Sequence, residues 1–195
     1  MGVNLGNLGN VNNDVGLGRE QPALTCPNLG KSRGKASNGG GMLNISNRMD
    51  WETPQWIFSQ LDEQYGFGLD AAASDENRLC ERWYTESDDG LTKKWSQNTW
   101  VNPPYARHVG DWVAKAAAEA EKWKVWVAIM INAKTDTKYW HDIVMAEAHR
   151  ILFVRGRVKF LLQGKPYMTA RSPSCVVVFG PGKCCPSFGA LEQAP

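Results

Sequence analysis

Apolar residues spaced three or four positions apart predict helices in three parts of the chain. The first helix is predicted from Pro54, with Thr53 as its N-cap, and Gly66 is predicted to end it. An alanine-rich stretch predicts a second helix over residues 111–124. A third helix is predicted to follow the polar turn at residues 134–137. Long, one-sided apolar patterns of this kind are typical of helices that cover a sheet.

Short apolar runs between these helices predict strands. The predicted strands cover residues 67–69, 83–84, 99–101, 125–131, 151–154, 157–161 and 175–179. The run at 125–131 is apolar throughout, as expected of a strand that is buried on both faces. Strands that alternate with helices indicate an α/β fold, with a parallel or mostly parallel sheet and helices on both faces.

The composition changes along the chain in a way that divides it into three regions. Residues 1–46 are rich in Gly, Asn and Ser and predict a flexible tail, residues 47–182 hold the folded domain, and residues 183–195 predict a C-terminal tail. A length of 195 residues and an apolar fraction of 43% fit one globular domain. We see neither a signal peptide nor an apolar run near the ~20 residues that span a bilayer, so we expect a cytoplasmic protein.

Charge and cysteine content limit the partners that the chain can have. The formal charge is only +2, but no acidic residue lies between Glu147 and Glu192. Basic residues are found throughout that stretch: Arg150, Arg155, Arg157, Lys159, Lys165, Arg171 and Lys183. This asymmetry favours a basic face for nucleic acid over a solvated rim beside a pocket for an acidic substrate. The five cysteines are odd in number and form no CxxC, which indicates reduced thiols and no metal site.

The segment Asn102-Pro103-Pro104-Tyr105 is the strongest candidate for a catalytic site, because it directly follows a predicted strand. Asn102 offers a carboxamide oxygen as a hydrogen-bond acceptor, and the two prolines fix the direction of their carbonyl groups. Tyr105 offers a flat ring for stacking. These groups suit a planar base with an exocyclic amino group, as in methylation of adenine at N6. A plain proline turn is the alternative.

Asp70 follows another predicted strand, so it should reach the same crevice as Asn102. The chain has neither a GxGxxG dinucleotide motif nor a GxxxxGK[ST] phosphate loop. A carboxylate beside the small residues Ala71, Ala72 and Ala73 complements the positive charges of S-adenosylmethionine and leaves room for it. An ordinary helix N-cap is the alternative for Asp70.

With these motifs the chain resembles the phage-type DNA N6-adenine methyltransferases (Dam-like). The resemblance runs from about Asp50 to Phe179 and rests on six short pieces in a specific order. They are Trp51-Glu52-Thr53-Pro54, Leu69-Asp70-Ala71-Ala72-Ala73-Ser74, Asp88-Asp89-Gly90-Leu91, Asn102-Pro103-Pro104-Tyr105, Lys134-Thr135-Asp136-Thr137 and Arg155-Gly156-Arg157-Val158-Lys159-Phe160. The usual methyltransferase glycines after the first strand are replaced by alanines.

The resemblance implies a Rossmann-like S-adenosylmethionine-dependent methyltransferase that acts on double-stranded DNA in the cytoplasm of a bacterial host and is encoded by a phage or prophage. The implied catalytic residues are Asn102, Pro103, Pro104 and Tyr105. The implied cofactor-binding residues are Thr53, Pro54, Asp70, Ala71, Ala72, Ser74 and Asp89, and the implied DNA-binding residues are Lys134, Arg155, Arg157 and Lys159. GATC is the recognition sequence that the family suggests.

The expected mechanism begins with a target adenine flipped out of the duplex and stacked on Tyr105. The Asn102 side-chain oxygen and the Pro103 carbonyl would accept the two N6 hydrogens, which frees the nitrogen lone pair for attack on the methyl group. His108 and His141 are interpreted as structural or phosphate-facing. The alternatives are methylation of cytosine N4, of guanine N2 in RNA or of a protein glutamine, and a catalytically inactive DNA-binding relative.

Overall fold

The structure, a computed structural model, describes residues 52–105, 108–162, 164–182 and 184–193. The tail predicted over residues 1–46 lies outside them. In chain order the elements are α1 (Gln55–Tyr65), β1 (Leu69–Asp70), β2 (Arg82–Trp83), β3 (Thr99–Val101), α2 (Val109–Trp123), β4 (Val127–Asn132), a π-helical turn (Trp140–Val144), α3 (Met145–Glu147), β5 (Arg150–Val154), β6 (Lys159–Leu162), β7 (Lys165–Thr169), β8 (Ser174–Phe179) and β9 (Ser187–Leu191). No helix in this part of the chain is long and apolar enough to cross a membrane.

Seven strands form the central sheet in the order β2-β1-β3-β4-β8-β5-β9. Strand β8 runs antiparallel to its neighbours β4 and β5, and all other neighbouring pairs are parallel. The predicted mostly parallel α/β sheet is therefore confirmed. Strands β6 and β7 form a separate antiparallel hairpin, and Leu161 of β6 also forms an isolated bridge with Glu52.

Helices cover both faces of this sheet, as the sequence predicts. Successive residues of β4 alternate between two buried clusters: Ile129 belongs to the first and Met130 to the second. Helix α2 packs on the first face through Trp112 and its neighbours, and α1 packs on the second face through Leu61 and its neighbours. The carboxyl ends of β1 and β3 are thereby fixed between two packed layers.

Helix α1 shows how local chemistry sets the element boundaries. Gly66 ends the helix with a left-handed φ of 60°, and its N–H donates to the carbonyl of Asp62 at 2.8 Å. At the other end, Pro54 holds the N-cap position, so the predicted cap at Thr53 is wrong by one residue. Pro54 is extended, with ψ at 130°, and its carbonyl already accepts a hydrogen bond from the Ile57 N–H.

Three further elements differ from the sequence prediction. The third helix is mainly the π-helical turn, which is continued only briefly by α3. Strand β7 has an almost wholly exposed side-chain pattern, so its sequence carries no burial alternation to detect. Strand β9 lies within residues 183–195, where a tail is predicted, and it extends the sheet by pairing in parallel with β5.

Candidate active site

A cavity of about 270 Å³ opens beside the carboxyl ends of β1 and β3, and we refer to it as the first cavity. Its lining residues are Ala72, Ala73, Glu86, Asp89, Gly90, Leu91, Asn102, Pro104, His108 and Trp112. The turn after β1 and the motif after β3 thus border one space, although about thirty residues separate them in sequence. The lining combines two carboxylates with an apolar wall that includes an indole ring.

Asp70 does not line this cavity but holds the turn that does. Its side chain is only 3% exposed, and its two carboxylate oxygens accept hydrogen bonds from the backbone N–H groups of Leu79 at 3.2 Å and Ala72 at 3.4 Å. Burial raises the pKa of Asp70 to about 6, and the two backbone hydrogen bonds oppose that rise. The carboxylate therefore organises the turn that carries Ala72, while Glu86 and Asp89 are the carboxylates that border the cavity.

The loop that carries Glu86 and Asp89 is held by close packing at Gly90. A Cβ added to Gly90 would lie 2.1 Å from the Ala71 carbonyl oxygen, so only glycine fits there. The Gly90 carbonyl also accepts a hydrogen bond from the Trp95 indole N–H at 3.0 Å. The residue before it, Asp89, has a left-handed φ of 54°, which is uncommon outside glycine and is a strain found often at functional sites.

Helix α2 supplies the opposite wall through Trp112. The Trp112 ring stacks on the Trp95 ring with a centroid distance of 6.0 Å and an interplanar angle of 26°. Trp95 is in turn fixed by Glu119, whose carboxylate accepts hydrogen bonds from the Trp95 backbone N–H at 2.7 Å and the Trp123 indole N–H at 2.9 Å. His108, next to α2, also borders the cavity, and its Nδ1 lies 3.2 Å from the Asp111 carboxylate.

The motif at the end of β3 separates the first cavity from a second one. Asn102 and Pro104 border the first cavity, whereas Tyr105 borders the second. The Tyr105 ring meets the Phe160 ring edge to face, with a centroid distance of 5.9 Å. Its hydroxyl is buried and has no hydrogen-bond partner among the residues that the structure describes. Burial raises the pKa of this phenol well above its ordinary value.

The second cavity has a volume of about 290 Å³ and a more polar lining. Its lining residues are Tyr105, Val109, Gly110, Asn132, Lys134, Thr137 and Tyr139. Asn132 is the last residue of β4, so the carboxyl end of a third strand contributes to it. Two phenol rings, a carboxamide and an ammonium group can together bind a planar, polar ring that carries a negative charge nearby.

The structure does not bring every predicted cofactor residue to the first cavity. Thr53 and Pro54 are buried beside the start of α1, and Ala71 is fully buried, with its N–H donating to the Trp100 carbonyl at 3.0 Å. The Ser74 hydroxyl instead accepts backbone hydrogen bonds within its own turn, from Glu76 and Asn77. None of these four residues is among those that line the cavity.

The predicted DNA-binding residues are all exposed, but their surroundings differ. Arg155 makes two hydrogen bonds of 3.1 Å to the Glu192 carboxylate. Arg157 donates to the Arg171 carbonyl at 3.3 Å. Lys134 borders the second cavity, and neither it nor Lys159 forms a salt bridge with any of the described residues.

Several lining residues were not singled out by the sequence interpretation. They include Glu86 and Trp112 in the first cavity and Asn132 and Tyr139 in the second. A signal existed for two of them: Glu86 follows the carboxyl end of β2 and Asn132 ends β4, the positions where ligands of such sheets bind. Within the described ranges, no cluster of three or more His, Cys, Asp or Glu side chains could hold a metal ion.

Comparison with known proteins adds family information to this geometry. A family model described as "DNA N-6-adenine-methyltransferase (Dam)" matches residues 41–181, a range that includes both cavities. A protein of Escherichia phage T1, named DNA N-6-adenine-methyltransferase, is 30% identical to the chain over 159 residues. That alignment covers 80% of this chain and 63% of the phage protein, so the chain spans somewhat less than two thirds of its relative.

Proposed function

This chain belongs to the DNA N-6-adenine-methyltransferase (Dam) family, and we propose from that premise that it transfers a methyl group from S-adenosylmethionine to N6 of adenine in double-stranded DNA. The observation that carries the proposal is the position of Asn102-Pro103-Pro104-Tyr105 between two cavities of similar size. A methyl donor on one side of the motif and a base on the other would meet at Asn102. The mostly parallel sheet is then the Rossmann-like sheet of a methyltransferase.

The first cavity suits S-adenosylmethionine in its chemistry. Glu86 and Asp89 offer carboxylate oxygens to ribose hydroxyls and to the ammonium group, and the apolar surfaces of Leu91 and Trp112 suit the adenine ring. When bound, the cofactor supplies an electrophilic methyl group on a sulfonium. Asp70 contributes by holding Ala72 in place, and Ala72 leaves room beside the motif.

The second cavity suits the target base. Tyr105 and Tyr139 offer ring surfaces for stacking, and stacking of one base on an aromatic ring contributes about 1–3 kcal/mol. That contribution offsets much of the few kcal/mol needed to flip the base out of the duplex. Asn132 and Lys134 provide hydrogen-bond donors for the base edge or for the adjoining phosphate.

Asn102 and Pro103 would then prepare the amino group for transfer. The carboxamide oxygen of Asn102 and the carbonyl of Pro103 accept the two N6 hydrogens, which draws the nitrogen toward a tetrahedral geometry. These two acceptors would free the nitrogen lone pair from the ring system and direct it toward the electrophilic methyl group that the bound cofactor would supply. The methylated amino group then loses one proton to water. The gain is mainly in positioning, which needs no strong general base.

The DNA backbone would be held by Lys134, Arg157 and Lys159. Arg155 can join them by exchanging Glu192 for a phosphate, because an exposed salt bridge contributes only about 0–1 kcal/mol. Each phosphate contact of this kind makes binding weaker at higher salt concentration. Thr53, Pro54, Ala71 and Ser74 do not line the first cavity, and their roles in binding the cofactor stay predictions.

Incubation with methyl-labelled S-adenosylmethionine and unmethylated duplex DNA, followed by digestion to nucleosides, tests this proposal. We expect the label in N6-methyladenine. Label in N4-methylcytosine would keep the methyltransferase activity and overturn the assignment of the base. Absence of label in DNA, with label appearing in RNA or protein acceptors, would overturn the substrate class. Absence of cofactor binding would favour a DNA-binding relative that lacks catalysis.

A further inference from the structure

Strand β6 has two chemically different sides. Lys159 is exposed, while Phe160, the next residue, is only 3% exposed. Neighbouring residues of a strand point to opposite sides, so β6 presents a cation outward and an aromatic ring inward. The inward ring is the one that meets Tyr105 edge to face at 5.9 Å. One strand therefore contacts both the surrounding solvent and the motif tyrosine.

The β6–β7 hairpin is fastened to the rest of the domain close to this contact. Glu52 and Leu161 exchange two backbone hydrogen bonds, of 3.1 and 3.2 Å, and the Glu52 carboxylate accepts a third from the Gly164 N–H at 3.0 Å. At the open end of the hairpin, the Ala170 N–H donates to the Val158 carbonyl at 2.7 Å and joins its two strands. These bonds lie on either side of Phe160 and hold the backbone that carries its ring.

Tyr105 depends on packing for its orientation. Its hydroxyl makes no hydrogen bond to any residue in the part of the chain that the structure describes, so no polar contact there fixes the rotation of its ring. Its ring contact is with Phe160. Edge-to-face aromatic pairs have a preferred geometry, which allows one ring to set the orientation of the other.

We propose that Phe160 is a positioning residue for the target base. It holds the Tyr105 ring at the angle required for stacking, and β6 thereby links the DNA-facing side of the hairpin to the motif that captures the base. This inference rests on the proposed function, because it assigns a role within the same site. Lys159 binds a phosphate on the outer side of β6, and the inner side then presents Tyr105 to the flipped nucleotide.

The variant Phe160→Leu tests the role of the ring, with Phe58→Leu as a matched control. Phe58 is 4% exposed and belongs to the same second-face cluster, but its ring contacts are with Phe67 and Trp100, at 5.9 and 5.7 Å. Its replacement therefore also removes a buried ring from this cluster, while the ring contact between Tyr105 and Phe160 is kept. Both variants are assayed with unmethylated genomic DNA at a temperature at which circular dichroism shows them folded. Phe160→Tyr, which retains the ring, provides the rescue.

In Phe160→Leu we expect kcat to fall roughly tenfold, because a displaced stacking ring misaligns the reacting nitrogen. The KM for DNA and the Kd for the cofactor should stay within about twofold, because phosphate contacts and the first cavity are unchanged. Phe160→Tyr should restore most of kcat, and Phe58→Leu should leave kcat within about twofold of wild type.

The result that overturns the inference is an equal fall of kcat in Phe160→Leu and Phe58→Leu, or a Phe160→Leu variant that keeps the wild-type kcat. Either result in the presence of an active wild-type enzyme leaves the proposed function intact, so the two failures are distinguishable. A wild-type protein that binds the cofactor and methylates no DNA overturns both.

Discussion

Replacement of Gly90 by alanine should damage both stability and cofactor binding, because the first cavity depends on a close approach at this residue. The new methyl group would lie 2.1 Å from the Ala71 carbonyl oxygen and 3.0 Å from the Trp112 ring. The Ala71 carbonyl and the Trp112 indole both belong to the buried core, so neither group can rotate away from the new methyl group. The loop must instead move outward by about 1 Å, which is the difference between 2.1 Å and the 3.0 Å below which real Cβ contacts essentially never fall.

The cost follows from two contributions. Overpacking of a well-packed site costs about 1–3 kcal/mol. The hydrogen bond from the Trp95 indole to the Gly90 carbonyl contributes about 1 kcal/mol, and the movement would break it. A loss of roughly 2–4 kcal/mol lowers Tm by roughly 5–15 °C in a domain of this size. Because Glu86 and Asp89 move with the loop, we also expect the Kd for S-adenosylmethionine to rise about tenfold, equivalent to about 1.4 kcal/mol.

Thermal unfolding and calorimetric titration with the cofactor measure these two effects. Gly110→Ala is the matched control, since an added Cβ there would lie 3.5 Å from the nearest atom, in Tyr139, and within helix α2 alanine is favoured over glycine. The control should keep its Tm or gain slightly, with unchanged cofactor affinity. If the Gly90→Ala protein keeps the wild-type Tm and the wild-type Kd for the cofactor, the first cavity does not depend on the close approach of Gly90 to the Ala71 carbonyl.

Three other predictions concern charge. Asp70→Asn should remove a pH dependence of the free energy of unfolding. Burial raises the pKa of Asp70 from 3.8 to about 6, so between these pH values the folded state binds more protons than the unfolded state. The stability of the wild type therefore falls as the pH rises, by at most about 3 kcal/mol. Urea unfolding across that range checks this, and parallel pH profiles for both proteins would contradict it. Lys159→Gln should weaken DNA binding and reduce the slope of log K against log salt concentration by about 1. Arg155→Gln should have a smaller effect, because Arg155 already pairs with Glu192. Filter binding at several salt concentrations measures both slopes, and equal slopes in the wild type and the two variants would contradict the assignment. Glu86→Gln should raise the cofactor Kd about tenfold with an unchanged Tm, since its carboxylate is exposed at the cavity; an unchanged Kd in titration would remove Glu86 from the site.

The elements that the sequence predicted well are those with a strong local signal. Residues 99–101 and the motif after them could be placed because a short apolar run ends abruptly in polar residues and proline. Strand β4 could be placed because it is apolar throughout. Strand β9 escaped prediction because four of its five side chains are not buried, and only its pairing with β5 defines it.

The candidate site was harder to predict than the fold, because its lining depends on contacts between distant residues. Asp70 accepts hydrogen bonds from two backbone N–H groups. No local sequence pattern distinguishes such a carboxylate from one that faces a ligand. Glu86 and Gly90 both border the first cavity, and Gly90 packs against Ala71, a contact across 19 positions of sequence. The contact between Tyr105 and Phe160 joins residues 55 positions apart and likewise leaves no trace in local spacing.

Single-turnover methyl transfer by Asn102→Ala, compared with wild type at saturating cofactor and DNA, tests most directly the claim that transfer occurs where the motif separates the two cavities. We predict that the variant binds S-adenosylmethionine with nearly wild-type affinity, because Asn102 is only one of ten lining residues. Its transfer rate should fall at least about 100-fold, because the amino group loses one of its two acceptors. Transfer at the wild-type rate by Asn102→Ala would contradict the account.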